Sequence, residues 1–131
     1  MTIVRNVNPS RTLKSSDLVT VDLTVTFGPK AAAGCHRVTE LVPSGLVPVG
    51  VLRGFVDEET GEPVTDITYP EEQAGQRVVF CADAGPKPSV HLRYVARVIT
   101  VGTYAWEPTI VESRSAADEA AIVPLGEVTI R

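Results

Sequence analysis

A chain of 131 residues with a formal charge of -4 and 5% aromatic content has the size of one domain. It has neither the basic patch nor the stacking surface that nucleic acid requires, so nucleic acid is excluded as a partner class. Richness in Val, Thr, Pro and Gly, without Leu/Ala/Lys/Glu runs, favours an all-β fold. The opening residues MTIVRNVNPSRTLKSSD hold no apolar run long enough for a signal peptide or a membrane span. The sequence therefore reads as one domain, residues 1–131, excised from a larger protein.

Taken in chain order, Thr2 to Val7 is a first strand, broken by Asn8-Pro9-Ser10. Residues 13–17 turn the chain into the clearest strand, Leu18 to Phe27. There Val19, Val21, Leu23, Val25 and Phe27 share one face, and Thr20, Asp22, Thr24 and Thr26 the other. That period of two means one packed face and one wet face. Cys35 to Val42 follows as a strand, and Pro43-Ser44-Gly45 turns into Leu46 to Leu52, whose Pro48 belongs at a sheet edge. Asp57 to Pro63 is a polar hairpin-like loop, Val64 to Tyr69 a short strand, and Pro70 to Gly75 a loop. Arg77 to Ala82 is a strand of open register, with either Val78 and Phe80 or Val79 and Cys81 facing inward.

Ser89 to Glu112 reads as a strand, a turn at Gly102 and a second strand. Val90, Leu92, Tyr94, Ala96 and Val98 share its inner face, and His91, Arg93, Val95 and Arg97 the outer. Ser115 to Ala121 is either one helical turn or a surface loop, and Glu127 to Arg131 closes the chain as a strand. Seven or eight short extended segments separated by turn signals make an immunoglobulin-like antiparallel β-sandwich of about seven strands.

Candidate chemistry is sparse. Cys35 and Cys81 are the only cysteines, outside any metal-ligand spacing. Either they pair, closing a loop of about 46 residues worth about 4 kcal/mol on the loop-entropy model and implying an oxidising compartment, or they are two buried thiols acting as small hydrophobes. The disulfide is the preferred reading. The adjacent Cys35 and His36 point to opposite faces of a strand, a poor geometry for a catalytic dyad. His36, His91 and Asp83 lack a ligand spacing, and the acidic group Asp57, Glu58, Glu59 and Glu62 fits no calcium-loop pattern. No catalytic residue, cofactor or metal is therefore expected. Lys14, Lys30 and Lys87 show no spacing that favours an isopeptide bond. Tyr104 and Trp106 share a strand face; exposed, they would form a glycan- or protein-binding platform, and buried, Trp106 would be the large aromatic of a small core.

Several of these segments, in order, carry a resemblance. Lys14-Ser15-Ser16-Asp17 stands before a Thr/Val-rich strand, Glu40 before the turn Leu41-Val42-Pro43-Ser44-Gly45, and Gln76-Arg77 before a strand. Tyr94, Arg97, Gly102, Tyr104, Pro108 and Glu112 follow in a fixed pattern. The chain resembles the C-terminal macroglobulin-like, MG10-type domain of bacterial alpha-2-macroglobulins and related large secreted proteins. Where that family continues with a Met-Tyr pair, this chain has Ser113-Arg114, and it carries no Cys-x-Glu-Gln thioester motif.

The resemblance implies a non-catalytic module, extracellular or at the cell surface, that packs against a neighbouring helical domain of the same polypeptide or another protein. Arg97, Tyr104, Trp106 and Glu112 are the expected interface residues. The alternatives are a carbohydrate-binding module using the two aromatics, an adhesin-type spacer, and a fragment of an enzyme whose active site lies elsewhere. No membrane insertion is expected.

Overall fold

The computed structural model describes residues 1–10, 12–49, 66–85, 87–114 and 119–131. Alternating apolar and polar side chains give strands β1 (Thr2–Asn8), β2 (Leu18–Thr26), β3 (Gly34–Leu41), β4 (Leu46–Pro48), β5 (Ile67–Thr68) and β6 (Glu72–Ala74). They continue as β7 (Arg77–Ala84), β8 (Ser89–Val98), β9 (Gly102–Trp106), β10 (Thr109–Ser113), β11 (Ala120–Val123) and β12 (Gly126–Ile130). One sheet has the order β1-β2-β8-β4, with β5 also on β8; the second has the order β11-β10-β3-β7-β6; β9 and β12 form a separate ribbon. Among the described residues the pairings are antiparallel except β5 on β8 and the isolated bridge of Leu13 to Ile130. The architecture is the expected immunoglobulin-like sandwich, built from more and shorter strands than seven.

The core lies between the two sheets. Val19, Val21, Leu23 and Val25 of β2 are fully buried and meet Leu92, Tyr94, Ala96 and Val98 of β8, as the alternation requires. On the facing sheet Val38, Val78, Phe80, Ala82 and Val111 complete it. The open register of β7 resolves with Val78 and Phe80 inward. Val79 is also covered, though on the opposite face, where Glu72 is its cross-strand partner.

Three departures from the sequence reading have local causes. The second strand of 89–112 is two strands, because the backbone leaves the ribbon after Trp106, passes Glu107-Pro108 and enters the second sheet at Thr109. Residues 72–74, expected in a loop, form edge strand β6, and 120–123 form β11, beginning inside the 115–121 segment read as either a helical turn or a surface loop. Pro48 does end an edge strand. The acidic loop at 57–63 and residues 115–118 lie outside the described residues.

Gly45 and Gly102 show why the β9–β12 ribbon closes where it does. A Cβ on Gly45 would come within 2.5 Å of Tyr104 Cε2 and 2.7 Å of Ile130 Cδ1, so only glycine fits beneath the ribbon. Gly102 opens β9 at φ +141°, a conformation that side chains disfavour.

Candidate functional site

A charged network occupies the middle of the sandwich. Alternation turns Arg5 of β1 inward between Ile3 and Val7, and turns Glu40 of β3 inward two residues beyond Val38. Arg5 Nη2 donates to Glu40 Oε1 at 3.2 Å, to the Glu107 carbonyl at 3.2 Å and to Thr109 Oγ1. Thr109 Oγ1 donates to Glu40 Oε1, and Tyr94 Oη donates to Glu40 Oε2 at 2.9 Å. The Arg5 and Glu40 side chains are 7% and 0% exposed.

Burial, then the charge of Glu40 and its hydrogen bond, push the Tyr94 phenol well above its ordinary range, against a smaller lowering by Arg5. Tyr94 therefore remains a donor. Four side chains from β1, β3, β8 and β10 thus tie the two sheets together. Removing one partner of such a pair costs about 3–5 kcal/mol, because the other is left as a buried unpaired charge.

The guanidinium also lies 4.4 Å from the centre of the Trp106 ring, a cation–π contact worth roughly 2 kcal/mol when desolvated. Two buried donors here have no acceptor: Arg5 Nε and Trp106 Nε1. Each orphaned donor costs about 1–3 kcal/mol. Both side chains line a cleft of about 470 Å³ between β1, the end of β11 and the start of β12.

A second polar cluster closes the end of the sandwich near the 28–34 loop. His36 is fully buried, with Nε2 3.0 Å from Glu119 Oε1 and Nδ1 3.2 Å from the Gly34 carbonyl. Glu119 Oε2 accepts the Ala32 amide at 3.0 Å, and the His36 ring lies 4.8 Å from that of Phe27. The Ala32 amide first, and the His36 hydrogen bond second, hold the Glu119 carboxyl below its ordinary value.

Cys35 and Cys81 form a disulfide across β3 and β7, closing a separation of 46 residues. It lies on the outer face of the second sheet, opposite the side to which His36 points. His91 is exposed, beside Thr24 Oγ1, and Asp83 is exposed at the end of β7. Among the described residues no three His, Cys, Asp or Glu side chains group as a metal site, and no helix is long and apolar enough to cross a membrane.

The four expected interface residues do not share one surface of this domain. Trp106 is 4% exposed and belongs to the core, so it offers no flat aromatic platform. Tyr104 is half-buried against that core, its hydroxyl donating to the Val101 carbonyl at 3.0 Å. Arg97 and Glu112 are both exposed, but on opposite outer faces: Arg97 pairs with Leu18 and Val47 in the first sheet, and Glu112 with Arg37 and Ala120 in the second.

The sequence reading missed Arg5 as a site residue and assigned Glu40 no role beyond its place in a motif. The signal was present, since a charged residue at the inward parity of a strand announces a buried partner. Beside Glu112 the outer face of the second sheet carries an apolar pair, Ile110 and Ile122, directly paired and 44% and 57% exposed, with the exposed Leu41 on β3.

Comparisons with known proteins agree with this architecture. Residues 2–116 match the family described as the bacterial Alpha-2-macroglobulin MG10 domain. Among solved structures, native alpha-2-macroglobulin from Escherichia coli, spanning domain MG7 to the C-terminus, superposes with a TM-score of 0.77 at 23% identity, over 98% of this chain and 23% of that one. A Salmonella alpha-2-macroglobulin carrying Y1175G matches at 0.73 and 23% identity, over 98% of this chain and 9% of that one. Escherichia coli alpha-2-macroglobulin activated by porcine elastase matches at 0.73 and 24% identity, over 99% and 13%. A comparison with curated proteins finds no match. The chain thus spans a quarter or less of the length of these structures, and it belongs to the bacterial alpha-2-macroglobulin MG10 domain family.

Proposed function

We propose that this chain is a single-domain, non-catalytic structural module of a larger secreted or cell-surface alpha-2-macroglobulin-like protein. It packs against a neighbouring helical domain through the outer face of β3, β10 and β11. The observation that carries this reading is the exposed Ile110–Ile122 pair, beside Leu41 and Glu112 and on the same face as the Cys35–Cys81 disulfide. Paired exposed isoleucines on a sheet face are what a covered surface uses. The disulfide staples β3 to β7 and suits an oxidising compartment. Glu112 remains in this contact. Arg97 lies on the opposite face, and Tyr104 and Trp106 turn inward, so they fall outside it.

The test is methyl NMR on isoleucine-labelled protein with a soluble paramagnetic agent. The isolated chain is compared with the same chain inside its longer polypeptide. Ile110 and Ile122 methyl signals should broaden in the isolated chain and be shielded in the longer one. Equal broadening in both would sink the assignment of this face.

A further inference from the structure

Arg97, on the face opposite that contact, stands in an apolar setting of its own. It is exposed near the end of β8 and is directly paired with Leu18 of β2 on one side and Val47 of β4 on the other. Cross-strand partners point to the same face, so the three side chains form one row across the first sheet. Ile99 continues the outward parity past the buried Val98, its amide held by the Gly45 carbonyl at 2.9 Å, and Val101 follows before Gly102. Leu18, Val47, Ile99 and Val101 are 52%, 40%, 50% and 58% exposed. They are four of the nine exposed large hydrophobic side chains among the described residues, gathered around one cation. Scattered singly such side chains mean little, whereas gathered they mark a surface that is covered.

The charge names the chemistry of the cover. The Arg97 guanidinium makes no ion pair or hydrogen bond among the described residues. The carboxylates nearest along β2 are engaged elsewhere: Asp17 Oδ2 accepts the Lys14 amide at 2.8 Å within its own turn, and Asp22 pairs with Arg93 at 2.6 Å. Whatever covers the four aliphatic side chains also takes Arg97 out of water, and a desolvated cation without an anion is costly. The cover must therefore bring a carboxylate. A second copy of this chain does not, because a two-fold contact centred on the row sets Arg97 against Arg97. The row also holds no aromatic ring on which a sugar could stack.

We propose that this patch is a second docking surface, covered by another domain of the same longer polypeptide that sets a carboxylate, framed by apolar side chains, against Arg97. The chain spans a quarter or less of the solved structures it resembles, so such a polypeptide has ample surface to supply the cover. The proposal rests on the reading of this chain as a module of a larger protein, but not on the isoleucine face.

The test is methyl NMR on the longer polypeptide, labelled at isoleucine and valine, with a soluble paramagnetic agent. Val47, Ile99 and Val101 methyl signals should be shielded. Arg97→Glu should expose them to broadening while leaving Ile110 and Ile122 as they were, so the two faces are judged separately. Arg97→Gln, which removes the charge without reversing it, carries the test if Arg97→Glu does not fold. Broadening of the three methyl signals already in the unaltered polypeptide overturns the surface. Shielding that survives the folded variant overturns the carboxylate. Shielding that disappears on dilution assigns the patch to a second copy and overturns the proposed occupant.

Discussion

The two polar clusters of this sandwich are built on opposite plans. The Arg5–Glu40 network joins four strands at the centre, and every charge in it meets an opposite charge or a hydrogen-bond donor. The His36–Glu119 clasp instead ties a buried ring to a carboxylate that is 21% exposed, on a segment outside the sheets. The first belongs to the fold itself. The second holds a loop against one end of it, through a Glu119 carboxyl held below its ordinary value by the Ala32 amide and the His36 ring.

The sharpest way to break this contrast is to remove one member of the central network. Arg5→Met should cost about 3–5 kcal/mol in urea unfolding, because Glu40 is left charged and buried. The double change Arg5→Met with Glu40→Leu should cost much less, and a double variant as unstable as the single would show that packing, not the unpaired charge, sets the loss. Replacing both cysteines with alanine releases the 46-residue separation closed by the disulfide and should cost about 4 kcal/mol. It should do so without uncoupling Arg5 from Glu40, which a retained Trp106 indole shift would report.

Gly45→Ala forces a methyl into Tyr104 and Ile130 and should cost about 1–3 kcal/mol through overpacking. Because those residues belong to the ribbon that carries Trp106, the same variant should also disturb the indole over Arg5. The smallest effect belongs to the clasp. The folded Glu119 carboxyl is held below its ordinary value, so its contribution is fully present above the unfolded carboxylate range and is lost as pH falls through the folded value. Wild type should exceed Glu119→Gln in stability at neutral pH, and the two should converge only as pH falls beneath the ordinary carboxylate range and through the lowered folded value. Parallel curves across that range would show that Glu119 does not stabilise the fold through its charge.

How much of this was legible in the sequence depends on how many constraints each residue faces. The inward and outward sets of β2 and β8 follow from a period of two sustained over nine and ten residues, and the structure keeps both. In β7 the run Val78-Val79-Phe80 is apolar on both faces, so periodicity could not choose, and only the covering of Val79 by the neighbouring edge strand explains the ambiguity. β6 and β11, at three and four residues, are made by their partners rather than by their own pattern. Arg97 reads as an outward residue from its parity, but parity within a strand does not say to which sheet the strand belongs, so nothing in the sequence separated its face from that of Glu112. That assignment comes from long-range pairing, as with the passage of the chain from the ribbon to the second sheet at Glu107-Pro108. Trp106 was weighed between platform and core, and its burial follows from the ribbon folding over Arg5.

The hydroxyl-rich outer face of β2 has a consequence for engineering. Thr20, Asp22, Thr24 and Thr26 point away from the core, and the Asp22–Arg93 pair and the Thr24–His91 contact link that row to the neighbouring β8. Substitutions at such positions usually change stability by about 0.5 kcal/mol or less. The outward half of β2 can therefore be rewritten while the inward half holds the fold, which makes this face a ready site for grafting a new recognition surface.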